Sequence, residues 1–449
     1  MMAQPWEPWH VSRGLRCISC GALHGLRDVI YRCGACGDLL DVVYRRPGET
    51  GAALAARFRV RQVSDLAIDR SGVWRFREML PFYDDESQII TYPEGNTPLL
   101  DAPRCAQYAG LRRLRFKHLG FNPTGSFKDY GMVAGVTQAR ILGMRAVACA
   151  STGNTSASLA AYATRAGMLP IVLVPETGVS FAKLSQSLDY GALTIMVRGD
   201  FDQAQALLRR LAPRLGIYIL NSVNPFRLEG QKTVMFELME QLGWRAPDRI
   251  VVPGGNLGNS SSFGKALREL EDLGLLSKRP RLTIVQARGA APLSEAYESG
   301  HSERLVRVHA STLATAIKIG APVSWKKAAR AVDWSDGWVT SVSEQEIADA
   351  KAMCGSLIAP SDFGVRFSSS LLSHNFPSSP SWVPLPARTP SAPSRVSKPP
   401  SSGPTTSSTK TENSPAFWWK PSPGRAVFPW RSSASASTSH NSPWIFPGN

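Results

Sequence analysis

Lys128 is the side chain whose sequence surroundings best suit covalent chemistry. Turn-forming residues at 122–126 precede it, and apolar residues at helical spacing follow it as far as Gly143, so we expect it in the first turn of a helix. The positive end of the helix dipole disfavours an ammonium there and favours a lowered pKa. Such a lysine can act as a nucleophile and a base, although a lone lysine is more often an ordinary surface residue.

Two loops could bind an anion, because each follows a predicted strand and opens a predicted helix. The first loop consists of Ser151, Thr152, Gly153, Asn154, Thr155 and Ser156. The second consists of Gly254, Gly255, Asn256, Leu257, Gly258 and Asn259. Side-chain donors, and backbone donors that glycine leaves accessible, bind phosphate at such a turn. The second loop matches neither the dinucleotide fingerprint nor the P-loop, and a plain helix cap or tight turn would account for one residue in each loop.

The segment between these loops contains two further candidates, Asn221 and Arg227. A guanidinium can bind a phosphate or a carboxylate with two parallel hydrogen bonds. Arginine at the start of a helix is just as often a surface ion-pair partner, so both interpretations stay open for Arg227.

The elements that must position these residues alternate between strand and helix. Short β-branched runs predict strands at 146–150, 171–174, 193–197, 217–220, 249–252 and 282–285. Amphipathic patterns predict helices at 156–165, 203–215, 231–242 and 262–273. Alternation of this kind predicts an α/β fold with parallel-rich sheets flanked by helices.

Four cysteines near the N-terminus have the spacing of a zinc ribbon. Cys17 and Cys20 are separated by two residues, as are Cys33 and Cys36, and glycines beside them suit tight knuckles. We therefore expect a structural zinc site, with four free thiols as the alternative. His24 is surplus to four thiolates, and we interpret it as an ordinary surface histidine.

Composition limits the classes of protein that this chain could be. It has 449 residues, enough for two or three domains, and a formal net charge of +16. Its basic residues are scattered rather than gathered in a run, which favours a solvated surface over nucleic-acid binding. The N-terminus lacks the apolar stretch of a signal peptide, and no apolar run reaches the roughly 18 residues of a membrane span. We expect a cytoplasmic protein with no membrane or nucleic-acid partner.

The four motifs together resemble the fold-type II pyridoxal-phosphate (PLP) enzymes, and among them the threonine synthases. The matching segments are NPTGSFKD at 122–129, STGNTS at 151–156, NPFRLEGQKT at 224–233 and GGNLGN at 254–259, with PEGNTPL at 93–99 similar to the family's opening strand segment. The resemblance spans about residues 88–353. It implies PLP as cofactor and the conversion of O-phospho-L-homoserine and water to L-threonine and phosphate.

The resemblance also implies roles for individual residues. Lys128 would hold the cofactor covalently and then move protons, and Asn154 would hydrogen-bond the cofactor's phenolic oxygen. The cofactor phosphate would lie on the glycine loop, at Gly254, Gly255, Asn256, Leu257, Gly258 and Asn259. The substrate would be held by Ser151, Thr152, Asn154, Thr155, Asn221 and Arg227.

The domain organisation that follows has four parts. We expect a zinc-ribbon-like module at 1–42, a larger PLP-binding domain from 43–121 and 222–354, a smaller α/β domain at 122–221, and a tail at 355–449. Some threonine synthases carry a similar cysteine-rich N-terminus, and the family resemblance implies a homodimer.

The tail departs from the family pattern. Sixteen of the 33 prolines lie beyond Gly355, and this Pro/Ser-rich composition predicts disorder. The family would continue with a further strand and a hydroxyl group near the pyridine nitrogen. A reading-frame change is our hypothesis for the abrupt break; the other two frames beyond codon 354 should then encode an Ala/Gly/Leu-rich helical end.

Two other functions remain open on the sequence. The chain could be another fold-type II PLP lyase, such as a threonine or serine dehydratase or a cysteine synthase, which would need no second phosphate site. Because of the aberrant C-terminus, it could also be an inactive PLP- or zinc-binding interaction protein.

Overall fold

The computed structural model describes residues 7–176 and 181–358. For residues 181–183 and 355–358 it describes the backbone alone. The part of the Pro/Ser-rich tail from residue 359 onward lies outside the described residues, so its predicted disorder stays a prediction. None of the helices within the described ranges combines the length and apolar character that a membrane crossing requires.

The described residues form strands and helices in the alternating order that the sequence predicted. The strands are β1 (Gly14–Cys17), β2 (Leu23–His24), β3 (Leu40–Val43), β4 (Leu99–Asp101), β5 (Arg115–Lys117), β6 (Ala146–Ala150), β7 (Leu169–Pro175), β8 (Leu193–Val197), β9 (Ile217–Ile219), β10 (Arg249–Pro253), β11 (Arg281–Ala287) and β12 (Trp338–Val342). The helices are α1 (Gly51–Gln62), α2 (Ala67–Arg70), α3 (Pro103–Tyr108), α4 (Lys128–Ile141), α5 (Asn154–Arg165), α6 (Phe181–Asp189), α7 (Phe201–Leu215), α8 (Pro225–Gln241), α9 (Gly258–Asp272), α10 (Pro292–Glu298), α11 (Trp325–Trp334) and α12 (Glu344–Ile358).

The fold is built around two parallel β-sheets. The first has the strand order β8-β7-β6-β9, and the second has the order β10-β11-β12. All their pairings are parallel, with Ala148 opposite Ile171 in the first sheet and Ile284 opposite Val339 in the second. Smaller antiparallel sheets, β2-β1-β3 and β4-β5, flank them. The boundaries predicted for the two α/β domains stay a prediction.

The four-stranded sheet has two differently covered faces, because alternate residues of a strand point to opposite sides. Val147 and Cys149 of β6 belong to the main apolar core together with residues of α4 and α5. Ala148 and Ala150 belong to a second apolar cluster with residues of α7. The helix that begins at Lys128 therefore packs on the opposite side of this sheet from α7.

Helices α4 and α8 pack closely because each has a glycine where they meet. A Cβ atom at Gly131 would lie 2.8 Å from the Arg227 carbonyl oxygen, and one at Gly230 would lie 1.9 Å from the Tyr130 carbonyl oxygen. Neither position therefore has room for a larger side chain. This approach brings the first turns of α4 beside the first turns of α8.

Buried lysines attach the N-terminal cysteine segment to the helices of the second sheet. Lys265 Nζ donates to the Val42 carbonyl at 2.6 Å, and Lys327 Nζ donates to the Leu40 carbonyl at 2.6 Å. Lys265 also pairs with Glu229, which forms a 2.8 Å ion pair with Lys232. These charges are almost fully buried, so each depends on its partners to offset the loss of hydration.

We expect Lys265→Met to lower the free energy of unfolding by about 3–5 kcal/mol, because it removes a partner from a buried charge cluster. Equilibrium urea denaturation measures this change. Lys278→Met is the matched control: Lys278 pairs with Asp248 at 2.5 Å on the exposed surface, and its loss should cost about 0–1 kcal/mol. Equal losses in the two variants would contradict the structural role of the cluster.

Candidate active site

Lys128 opens α4, as predicted, and the loop before it is held at both ends. Asn122 Oδ1 accepts a 2.9 Å hydrogen bond from the backbone of Gly95, and Asn122 Nδ2 donates to the Leu119 carbonyl at 2.7 Å. The Ser126 hydroxyl accepts from the Lys128 backbone N–H at 3.3 Å. The segment 93–99, singled out in the sequence, thus fixes the loop that presents the lysine.

The Lys128 amine is largely removed from water although its side chain still reaches the surface. Desolvation by the surrounding atoms, with a smaller effect of the Arg227 guanidinium, lowers its pKa to about 7. From the sequence we expected the helix dipole to lower this pKa. In the structure, burial is the main cause. The amine lies 4.1 Å from the centroid of the Phe127 ring. Near neutral pH a large fraction of this amine is uncharged and nucleophilic.

Asp129 connects the start of α4 to α5. Its carboxylate accepts hydrogen bonds from the Thr124 backbone at 2.8 Å, the Thr124 hydroxyl at 2.5 Å and the Ser158 hydroxyl at 2.6 Å. Ser158 lies one turn beyond Asn154, where α5 begins. The first predicted anion loop is therefore positioned beside Lys128.

Three side chains of this first loop have no hydrogen-bond partner among the described residues. The Ser151 and Ser156 hydroxyls hold the loop itself, through Gly153 N at 3.2 Å and Gly153 O at 2.7 Å. In the part of the chain that the structure describes, no hydrogen bond engages the half-buried side chains that remain, which are those of Thr152, Asn154 and Thr155. Their donors and acceptors are available to a ligand.

The glycine loop ends at the N-terminus of α9. Leu257 adopts a left-handed conformation, with φ 62°, and Gly258 is the first helical residue. Asn256 is engaged on both sides: its Nδ2 donates to the Ser222 hydroxyl at 2.6 Å and its Oδ1 accepts from Val323 N at 2.8 Å. The Asn256 side chain thus shapes the loop, and the helix N-terminus supplies backbone N–H groups for an anion.

The glycine loop and the helix that begins at Lys128 both approach the side chain of Gln231. A Cβ atom at Gly131, one turn after Lys128, would lie 2.8 Å from Gln231 Nε2. One at Gly258 would lie 3.3 Å from Gln231 Oε1. The first turn of α4 and the first residue of α9 therefore both approach the Gln231 side chain.

Several buried polar atoms near these helix starts lack a hydrogen-bond partner within the described residues. They are Arg227 Nε, Gln231 Oε1, Asn259 Oδ1 and Ser260 Oγ. Buried polar groups are nearly always satisfied in native proteins, so an unpaired group indicates a ligand, an ion or a water molecule. Of these atoms, Arg227 Nε and Ser260 Oγ can donate to an anion, and Ser260 lies in the first turn of α9.

Asn221 and Arg227 contact the backbone at the ends of β6 and β9. The Asn221 carboxamide accepts from Ala150 N at 3.2 Å and donates to Ala150 O at 3.0 Å. Arg227 is 1% exposed and donates one hydrogen bond, at 2.9 Å, to the Leu220 carbonyl. Burial lowers the Arg227 pKa to about 10. Asn221 therefore fixes the residue before Ser151, whereas Arg227 keeps donor capacity.

Sequence reasoning missed the residues that join the loops. Asp129, Ser222 and Gln231 do so through contacts between segments far apart in the chain. One signal was available for Gln231: it follows Arg227 by four residues, which places both on one face of a helix. The start of α8 was also missed, although Asn224 caps it through hydrogen bonds from Phe226 N and Arg227 N, with Pro225 at the first helical position.

The four N-terminal cysteines converge as the spacing predicted. All four sulfur atoms lie within 4.8 Å of one another, with Cys17 Sγ 3.3 Å from Cys36 Sγ. Four thiols in this arrangement can bind a tetrahedral metal such as zinc. His24 is not one of the four, but a hydrogen bond from it lowers the Cys33 pKa to about 6, so it is closer to the cluster than its interpretation as a surface residue implied.

Comparison with known proteins places the site in context. Residues 90–357 match the family model described as pyridoxal-phosphate dependent enzyme. The chain is 44% identical over 344 residues to the threonine synthase of Methanocaldococcus jannaschii, covering 75% of this chain and 81% of that protein. It is 45% identical over 273 residues to the threonine synthase of Mycobacterium tuberculosis, covering 61% of this chain and 73% of that protein.

Solved structures show the same fold. The structure of maize serine racemase aligns with a TM-score of 0.51 at 21% identity, covering 59% of this chain and 76% of that one. The processed form of threonine deaminase isoform 2 from Solanum lycopersicum aligns with a TM-score of 0.52 at 18% identity, covering 62% and 72%. At these identities the likeness concerns the fold alone.

We expect the Lys128 amine to become reactive as the pH rises through about 7, because a lowered pKa leaves the neutral amine predominant above that value. Competitive acetylation of the cofactor-free protein with trace acetic anhydride, read by mass spectrometry, gives the titration midpoint. A free lysine derivative in the same reaction should titrate near about 10.4. A Lys128 midpoint above 9 would show that the amine is not desolvated.

We expect the purified chain to contain one zinc ion, counted by native mass spectrometry. Cys20→Ser should lose the metal, since it removes one of four ligands. His24→Ala should keep it, because His24 lies beside the cluster without belonging to it. Equal metal content in the Cys20 variant and the unchanged protein would exclude the four-cysteine site.

Proposed function

Since the chain belongs to the pyridoxal-phosphate-dependent enzymes and, within them, to the threonine synthases, we propose that it converts O-phospho-L-homoserine and water to L-threonine and phosphate. The membership confirms the family, the fold class and the PLP-dependent enzyme class predicted from the sequence. The single observation that supports the site assignment is the desolvated Lys128 amine at the start of a helix whose Gly131 packs on Gln231, the side chain that also approaches the N-terminus of α9.

The residues present fit PLP. An aldehyde cofactor needs an uncharged amine, and the lowered pKa of Lys128 supplies one near neutral pH. Its phosphate needs backbone and side-chain donors, which the first turn of α9 offers beside the unpaired Ser260 hydroxyl. The half-buried Asn154 carboxamide, which has no partner among the described residues, is available for the phenolic oxygen.

The chain's own residues transfer protons and exclude water during the reaction. When bound, the cofactor supplies an electron sink that stabilises negative charge on the substrate carbon next to the amine. The Lys128 amine, with a pKa of about 7, can both accept and return protons at the substrate carbons near neutral pH. Residues around it exclude water from most of the amine's surface, which favours its neutral form.

A second anion-binding region would hold the phosphate that leaves the substrate. Arg227 Nε has no hydrogen-bond partner in the described ranges, and the guanidinium lies close enough to Lys128 to lower its pKa. The side chains of Thr152 and Thr155 add hydroxyl donors, and a guanidinium with hydroxyls suits a phosphate ester. Asn221 would act indirectly in this arrangement, since its carboxamide is bonded to Ala150.

Two further features belong to the same proposal. The free thiols of the cysteine cluster suit a reducing compartment such as the cytoplasm. The family resemblance supports a homodimer that acts on a small-molecule substrate, without nucleic acid.

We expect Lys128→Ala to lower kcat by at least about 10³-fold, because it removes both the covalent attachment and the proton-transfer group. Phosphate release from O-phospho-L-homoserine measures turnover, and the visible spectrum before and after borohydride measures cofactor attachment. Lys278→Ala, an exposed lysine, is the matched control and should behave like the unchanged protein.

The same assay separates the proposed reaction from that of a dehydratase. Ketoacid release from L-threonine without phosphate release from O-phospho-L-homoserine would overturn the proposal while leaving the cofactor site in place. Turnover retained by Lys128→Ala would overturn the site itself.

A further inference from the structure

A cavity of about 280 Å³ lies where the loop between the two cysteine pairs meets α7 and the end of β9. Residues of three segments border it: Tyr31, Arg32, Leu208, Arg209, Asn221 and Val223. The Tyr31 hydroxyl accepts a 2.6 Å hydrogen bond from Ile219 N. This bond fixes the cysteine segment against the sheet and forms one wall of the cavity.

The cavity is separate from the Lys128 site. Its Leu208 and Ile219 belong to the apolar cluster on the α7 side of the four-stranded sheet. Helix α4, which begins at Lys128, packs on the opposite side with Val147 and Cys149. The two sites share the loop after β9: Asn221 and Val223 border the cavity, and Ser222 between them bonds to Asn256 of the glycine loop at 2.6 Å.

The lining has an apolar wall and a cationic rim. Leu208, Ile219 and Val223 supply aliphatic surface. Arg32 and Arg209 are exposed at the rim, where Arg32 donates to the Gly37 carbonyl at 3.0 Å and Arg209 donates to the Gln205 side chain at 2.7 Å. Within the described residues neither guanidinium is paired with a carboxylate, and the lining contains no acidic residue.

We propose that this cavity binds a small organic carboxylate with an aliphatic or aromatic body, as a ligand site additional to the Lys128 site. Arg209 and Arg32 bind the carboxylate, because an unpaired guanidinium prefers a planar anion that accepts two hydrogen bonds. The apolar wall covers the hydrocarbon part. A volume of about 280 Å³ is large enough for a branched-chain or an aromatic acid.

Isothermal titration calorimetry of the full chain with isovalerate and 3-phenylpropionate tests the ligand class. Isovaleramide has the same shape without the charge, and inorganic phosphate has charge without an apolar body. We expect both acids to bind and to bind at least about tenfold more tightly than either comparison compound, in keeping with the strength of charge-assisted hydrogen bonds. Absence of binding by both acids, or equal binding of the amide or of phosphate, overturns the proposal.

Variants on one face of α7 locate the binding. Arg209→Gln should weaken acid binding about tenfold by removing one of the two rim charges, and Gln205→Trp should do so by filling the cavity. Arg210→Gln is the matched control, because it removes the same charge from the neighbouring exposed position outside the lining. Circular dichroism confirms that each variant is folded. Unchanged binding in both Arg209→Gln and Gln205→Trp, or an equal loss in Arg210→Gln, overturns the assignment whether or not the chain is a threonine synthase.

Discussion

The near-complete burial of α8 is the constraint on which the rest of the structure depends. Its residues from Pro225 to Met239 are all buried, yet they include charged and polar side chains that must find partners inside the protein. Glu229 and Lys232 pair with the helix that follows and with the N-terminal segment, while Glu237 accepts from the backbone of Thr97 at 2.8 Å. One helix therefore contacts α9, the N-terminal segment and the segment at 93–99.

Two polar residues in the first half of α8, Arg227 and Gln231, each keep a buried atom without a hydrogen-bond partner among the described residues, as does Glu240 near its end. By contrast, Glu229, Lys232 and Glu237 are paired within the protein. Helix α8 thus contains charged residues that are paired inside the protein as well as polar groups that are available to a ligand. Because Gly131 and Gly230 let α4 approach closely, the Lys128 amine shares this desolvated region, and its lowered pKa follows from the packing.

Local sequence patterns were sufficient to predict much of the fold and of the candidate site. What they could not predict has a physical reason. The strand at 146–150, the helix that Lys128 opens and the convergence of four cysteines follow from periodicity, caps and spacing, which neighbouring residues determine. The engagement of Asn221 with Ala150 and of Asn256 with Ser222 depends on contacts between distant segments, which no local pattern encodes. The desolvation of Lys128 likewise depends on how α8 packs against α4.

Strand β3 is held by lysines that lie far downstream in the chain, and this has a consequence for folding during translation. Val42 accepts from Lys265, 223 residues later, and Leu40 accepts from Lys327, 287 residues later. At a translation speed of about 5–20 residues per second, the first of these lysines leaves the ribosome roughly 10–45 seconds after its strand. During that interval the emerging cysteine segment relies on its own bonds, such as Cys33 N to Asp38 O at 2.8 Å, so capture of a metal ion by the nascent chain would shield it until the helices arrive.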